Sequence, residues 1–188
     1  MVVVGLRFGR YIVEEQLLKG PGREYVELVG VCDLDQTLAS EMADRHHLRH
    51  YESLDAILAD PSVEAVGLFT GPDGRADLIR SIIRAGKHVM TTKPLEVDAA
   101  AALAVLREAR ERNRAVHLNS PAPLPEPETQ QIIEWTREFD LGRPISLHWE
   151  TYADYFDEAD GSWYDDPERC PVAPIFRLGL YGINKAVR

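Results

Sequence analysis

Short β-rich apolar runs alternate with segments of helical spacing through the first two-thirds of the chain, and no other feature limits its possible folds as tightly. Met1 to Gly5 is a β-rich run ending in glycine, and Tyr11 to Leu18 carries helical spacing that stops at Gly20-Pro21-Gly22. Tyr25 to Cys32 reads as a second strand closed by Asp33. Helical spacing follows over Gln36 to His46, then a short helix over Leu54 to Leu58. Ala65 to Phe69 is apolar enough for a strand buried on both faces. Arg75 to Ala85 is helical and stops at Gly86, and His88 to Met90 begins another strand. Asp98 is placed to cap an alanine-rich helix running to about Asn113, ahead of a strand from Ala115 to Leu118. Within that helix, Ala99 to Leu106 is the longest apolar run, too short to span a bilayer and read here as buried. Repeated βα units of this length predict the α/β class, a parallel sheet with helices on both faces.

The pattern changes at Ser120. Ser120 to Pro127 holds four of the twelve prolines, which rules out regular helix or a central strand. We place a domain boundary there: residues 1–120 form the first domain, and 121–188 begin a second, incomplete α/β domain. A helix is expected over Glu128 to Glu138, then a Gly142-Arg143-Pro144 turn and a strand from Ile145 to Thr151. An acidic, aromatic stretch from Tyr152 to Glu168 follows, and the chain ends within a helix.

Charge narrows the partners. The net charge of -10 opposes nucleic-acid binding and docking on an anionic membrane, both of which need a basic face. Met1 leads directly into Val2-Val3-Val4 with no basic n-region, so no signal peptide is expected. Cys32 and Cys170 are far apart and form no C-x-x-C pair, which fits a reducing cytoplasm.

Strand, glycine turn, helix, strand and carboxylate is the order that a Rossmann-type domain uses to hold a dinucleotide. Backbone N–H groups and a helix N-terminus meet the pyrophosphate, and the carboxylate accepts ribose hydroxyls. Here the turn is Gly5-Leu6-Arg7-Phe8-Gly9-Arg10 and the carboxylate is Asp33. The full G-x-G-x-x-G is absent. Either Arg7 stands at the middle glycine and offers its guanidinium to phosphate, or one residue is missing and Gly9 closes a shortened loop. The competing reading is a tight strand–helix turn with no ligand. Asp33, with Asp35 nearby, would repel a ribose 2′-phosphate, so NAD is expected over NADP.

The segment Ala85 to Glu96, with Thr92-Lys93-Pro94 after its strand, resembles the signature of the Gfo/Idh/MocA oxidoreductases, which include glucose–fructose oxidoreductase and inositol dehydrogenases. The likeness extends through Tyr51 to Leu54, Asp60 to Val66, Gly142-Arg143-Pro144 and Gly161-Ser162-Trp163. It implies a Rossmann domain followed by an open-sheet α/β domain that walls the substrate and forms the oligomer interface. It also implies that Lys93 lies beside the nicotinamide and moves a proton at the substrate oxygen, the family's preceding glutamate being Thr92 here. Thr70, Gly71 and Pro72 resemble the loop that passes near the cofactor, without the family's usual histidine. Asn119, after the last strand, either bonds the nicotinamide or substrate or caps a loop.

A second family motif, Asp-x-Gly-x-His, aligns with Arg177 to Tyr181, with both polar positions changed. In a helix, Arg177 and Tyr181 share a face. Tyr181 is then a candidate proton donor, with Arg177 and Trp163 as candidate substrate contacts. Alternatively Arg177 makes a local ion pair and Tyr181 packs.

Other signals lead elsewhere. His46 and His50 are four apart, but nothing completes a metal motif, so an exposed helix end and no metal are expected. Asp154, Asp157, Glu158, Asp160, Asp165 and Asp166 read as a solvated loop, which Trp163 and Tyr164 anchor to the core. The expected function is hydride transfer between NAD and a sugar, polyol or related hydroxyl or carbonyl compound. The rival is a non-catalytic nucleotide-binding or interaction module on the same fold. An incomplete sheet predicts self-association, hence a homo-oligomer.

Overall fold

The computed structural model describes residues 1–121, 125–150, 152, 158–159, 161–171 and 175–187. It divides into two compact units, Met1–Leu118 and Asn119–Arg188.

The first unit is built on six parallel strands: β1 (Val2–Val4), β2 (Gly30–Cys32), β3 (Arg49–His50), β4 (Ala65–Leu68), β5 (His88–Thr91) and β6 (Val116–Leu118). Their order is β3-β2-β1-β4-β5-β6, so the direction of winding reverses between β1 and β4. The helices are α1 (Leu6–Tyr11), continued by a π-helix (Ile12–Leu18) and followed by a 3-10 helix (Pro21–Glu24), then α2 (Gln36–His46), α3 (Leu54–Ala59), α4 (Arg75–Arg84) and α5 (Ala99–Glu111).

Side-chain alternation along β1 sorts them onto two faces. Val2 and Val4 join a core with Ile57 of α3, Ile79, Ile82 and Ile83 of α4, and Val105 and Ala109 of α5. Val3 joins the opposite core with Leu6, Ile12, Val13 and Leu17 of the first helical segment and Ala39, Met42 and Ala43 of α2. This is the Rossmann-type arrangement expected from the βα alternation. The helix starts are capped as their sequences suggest: Asp35 accepts from Thr37 N and Leu38 N, Ser53 from Ala56 N, and Asp98 from Ala100 N and Ala101 N.

Several expectations need correction. The strand expected over Tyr25 to Cys32 is laddered only at Gly30–Cys32, because its partner β1 has three residues. The first helix starts at Leu6, and Ile12–Leu18 is π-helical, which brings Ile12 and Leu17, five apart, both into the core. β3 is polar and pairs only with β2, so periodicity gave no sign of it. The run Ala99 to Leu106 is not a buried helix: Leu103 is 50% exposed and Leu106 38%, and Val105 and Ala109 make the inward contacts.

In the second unit the described elements are α6 (Pro127–Glu138), a π-helix (Ile175–Gly179) and α7 (Leu180–Ala186). No strand forms over residues 145–150 (Thr151 lies outside the described residues), since none of the described residues of this unit offers a partner strand. Ile145, Leu147 and Trp149 alternate along this segment and are exposed. Among the described residues, no helix is long and apolar enough to cross a membrane.

Helices α4 and α5 are joined by Glu108, which accepts from Arg84 (2.7 Å), Arg112 (2.9 Å) and Arg80 (3.2 Å). Hydrogen bonding from Arg84 and then Arg112 holds its carboxyl at about 2, down from the ordinary 4.5. A depressed carboxylate contributes stability above its unfolded value and loses it as pH falls toward the folded value. Denaturant titrations across pH 2–7 should therefore show an acid-side loss between about pH 5 and 2 that is shallower in Glu108→Gln. Identical slopes in the two proteins would remove Glu108 from that role.

Candidate cofactor site

The parallel register carries the candidate residues to one edge of the sheet. Val4 lies opposite Cys32 and Leu68, Leu68 opposite Thr91, and Thr91 opposite Leu118. Gly5, Asp33, the loop from Phe69 to Pro72, and Thr92-Lys93 thus leave the carboxyl ends of β1, β2, β4 and β5. Ligands of open α/β sheets bind at this edge, beside the reversal of strand order.

Gly5 makes the turn possible. Its φ is +88°, and a Cβ there would lie 2.9 Å from the backbone C and O of Phe69. Its N–H donates to Cys32 O at 3.0 Å. Gly9 does the work of a closing glycine, since a Cβ would stand 3.1 Å from Val3 Cγ1 and 3.5 Å from Phe69 Cδ2. Only Leu6, Arg7 and Phe8 separate the two, one residue fewer than G-x-G-x-x-G requires. The geometry therefore favours the shortened loop over Arg7 as a middle-glycine substitute. Leu6 is buried, whereas Arg7 and Phe8 face outward, Phe8 packing edge-on against Phe69 at 5.8 Å.

Asp33 bridges the first two strands. Its Oδ2 accepts from Leu6 N at 2.5 Å and its Oδ1 from Asp35 N at 2.9 Å. A carboxylate has about four acceptor positions, so two N–H donors leave room for ribose hydroxyls. The sequence suggested a ligand-facing role; the bond to the start of α1 is an addition that only the structure reveals. Asp35 instead spends its Oδ1 on the α2 cap.

The loop after β4 and the turn after β5 meet at a residue that sequence reasoning passed over. Arg75, 1% exposed, donates from Nη1 to Thr92 O (2.8 Å) and Pro94 O (2.5 Å) and from Nη2 to Thr70 O. Glu96 returns the contact, accepting from Ala76 N (2.8 Å) and Val97 N (2.7 Å). Lys93 is half-buried, Pro72 is buried, and Thr70 Oγ1 donates to Gly71 O at 3.3 Å. Beneath them Thr91 Oγ1 donates to Leu68 O at 2.7 Å. The only sequence sign of Arg75 was an arginine opening an otherwise amphipathic helix, which ordinarily reads as surface.

Asn119 opens the second unit immediately after β6, and its Oδ1 is buried without a hydrogen-bond partner. Within that unit, Tyr181 Oη and Ser120 Oγ are 2.7 Å apart. The Arg177 guanidinium lies over the Tyr164 ring at 3.8 Å, and Trp163 packs on the same ring at 4.1 Å. Tyr164 is itself 41% exposed, so this cluster holds its loop by an aromatic–guanidinium stack, not by insertion into a core. Asp165 and Asp166 accept from Gly161 N and Glu168 N, as turn residues do; Asp154, Asp157 and Asp160 lie outside the described residues. His46 and His50 diverge, one to Glu14 and the other to Gln36, and among the described residues no three metal-ligating groups converge. Cys32 is buried, which pushes its thiol up, with a smaller contribution from Asp33.

Residues 1–120 match the Gfo/Idh/MocA oxidoreductase family, described by its NAD-binding Rossmann fold. The chain belongs to this family. Dehydrogenase aclE of Aspergillus oryzae is 30% identical over 141 residues, which are 73% of this chain and 38% of that protein. Inositol 2-dehydrogenase of Rhizobium meliloti is 34% identical over 86 residues, 46% of this chain and 26% of the relative. Among solved structures, an NAD-binding protein from Listeria innocua superposes with a TM-score of 0.77 at 24% identity, over 99% of this chain and 53% of that one. GenD2 from gentamicin A biosynthesis, in complex with NAD, superposes at 0.73 and 21% identity, over 98% and 51%. This Gfo/Idh/MocA chain thus spans about half the length of the solved structures it matches and less of the curated relatives.

The turn geometry gives a direct test. Gly5→Ala combines positive φ with a collision against the Phe69 backbone, so urea unfolding should show a loss of about 1–3 kcal/mol or more. An unchanged midpoint would mean that the β1–α1 turn is not as tight as described.

Proposed function

We propose that this chain binds NAD at the carboxyl edge of its sheet and forms the cofactor-binding part of an oxidoreductase. The reaction would be hydride transfer to or from a sugar, polyol or related hydroxyl or carbonyl compound. The observation that carries this reading is the convergence of Gly5, Asp33, Thr70 and Lys93 on the ends of β1, β2, β4 and β5, across the reversal of strand order. The residues fit a dinucleotide: Gly5 and Gly9 leave no room for side chains, Asp33 retains acceptor positions, and Arg7 supplies an exposed cation where phosphate oxygens would lie. The nicotinamide, when bound, supplies or accepts the hydride.

Around it the residues take separate roles. Asp33 accepts ribose hydroxyls and opposes a 2′-phosphate, which supports NAD over NADP. Gly5, Arg7, Phe8, Gly9, Thr70 and Pro72 line the dinucleotide, and the orphan Oδ1 of Asn119 is suited to an amide or hydroxyl donor. Lys93 holds and moves a proton at the substrate oxygen. Arg177, Trp163 and Tyr181 are substrate groups of the second unit, with Tyr181 as proton donor. We read residues 1–120 as the cofactor domain and 121–188 as the start of the substrate domain. The exposed apolar residues of the second unit support a homo-oligomer, and two cysteines far apart in the sequence with no C-x-x-C pair support a cytoplasmic setting.

NADH fluorescence titration tests the reading. NADH should bind more tightly than NADPH, and Asp33→Ala should weaken NADH and narrow the difference. Equal affinities, or a preference for NADPH, would contradict the role given to Asp33.

A further inference from the structure

We propose that Arg75 is the positioning residue for Lys93, fixing the turn that carries the lysine against the loop after β4; this rests on the reading that Lys93 serves the reacting oxygen. Arg75 reaches the carbonyls on both sides of Lys93, those of Thr92 and Pro94, and with its other Nη the carbonyl of Thr70. One planar guanidinium therefore sets the backbone of Lys93 relative to the Thr70–Pro72 loop. Its own place is fixed at the start of α4, where its N–H donates to Pro72 O at 3.2 Å. The far end of the turn is tied to the same helix by Glu96, which accepts from Ala76 N. Residues 92–96 are thus held at both ends by residues 75 and 76.

The chemistry of the side chain is specific to this arrangement. Three acceptors on two separate elements require donors fanned in one plane, which guanidinium provides and a lysine ammonium, a point charge on a flexible stem, does not. The side chain is 1% exposed, so it makes no contact with solvent-borne ligands and acts through the backbone it holds.

The test measures Lys93 itself and needs neither cofactor nor activity. The chain has four lysines, Lys19, Lys87, Lys93 and Lys185. Competitive acetylation with acetic anhydride, read by peptide mass spectrometry across pH, gives the reactivity of each. Exposed Lys19 is the reference; Lys87 is buried, with its Nζ on Asp60 O and Val63 O, and reports unfolding. In Arg75→Lys and Arg75→Met, the Lys93 rate relative to Lys19 should change at least threefold while Lys87 stays protected. An unchanged Lys93 rate in a folded variant would overturn the proposal. If neither variant folds, arginine side-chain NMR of the unaltered chain decides. Separate, slowly exchanging Nη signals for Arg75 are expected, and a freely rotating guanidinium would overturn the clamp. Because every arm is run without NAD, a failure of cofactor binding leaves these results independent.

Discussion

The register of β1 between β2 and β4 governs the rest of the first unit. With Val4 level with Cys32 and Leu68, three chain segments leave the sheet at one height, and a parallel sheet sends every such exit to the same edge. Strands only three or four residues long leave little tolerance for a slip. A shift of one residue would exchange Val3 for Val2 and Val4 between the two cores. Burial of all three valines, at 0–8% exposure, opposes that slip.

On this frame, polar contacts hold the exits together. Asp33 joins β2 to the start of α1, and Arg75 joins the loop after β4 to the turn after β5. Both use a charged group on backbone partners, a class of hydrogen bond worth roughly 1.5–3 kcal/mol net. Their effect is organisational: the loops would otherwise be independent surface segments, and a ligand spanning them would have to order each one on binding.

Much of this was legible in the sequence because it depends on local rules. The Asp98 cap, the stop at Gly86 and the order of strands and helices follow from spacing and turn chemistry, and so does the placement of Gly5 and Asp33. What escaped depends on distant partners. Arg75 reads as a surface arginine until Thr70, Thr92 and Pro94 surround it. Arg49 and His50 form a strand only because β2 offers an edge. The π-helical turn stayed hidden because Ile12-Val13 and Leu17-Leu18 satisfy an α-helical stripe nearly as well. The segment 145–150 alternates like a strand, but alternation does not create a partner. The stack of Arg177 on the Tyr164 ring and the approach of Tyr181 Oη to Ser120 Oγ likewise join residues too far apart along the chain for spacing to pair them.

The proposed dinucleotide would lie across the carboxyl ends of β1, β2, β4 and β5. Backbone amide NMR of the chain during NADH titration tests this placement most directly. The largest shift changes are expected at Gly5, Leu6, Arg7, Asp33, Thr70, Gly71 and Lys93, with Val29, Glu64, Lys87 and Ala115 at the opposite edge unmoved. Saturable changes at that opposite edge, or none anywhere at millimolar NADH, would contradict it.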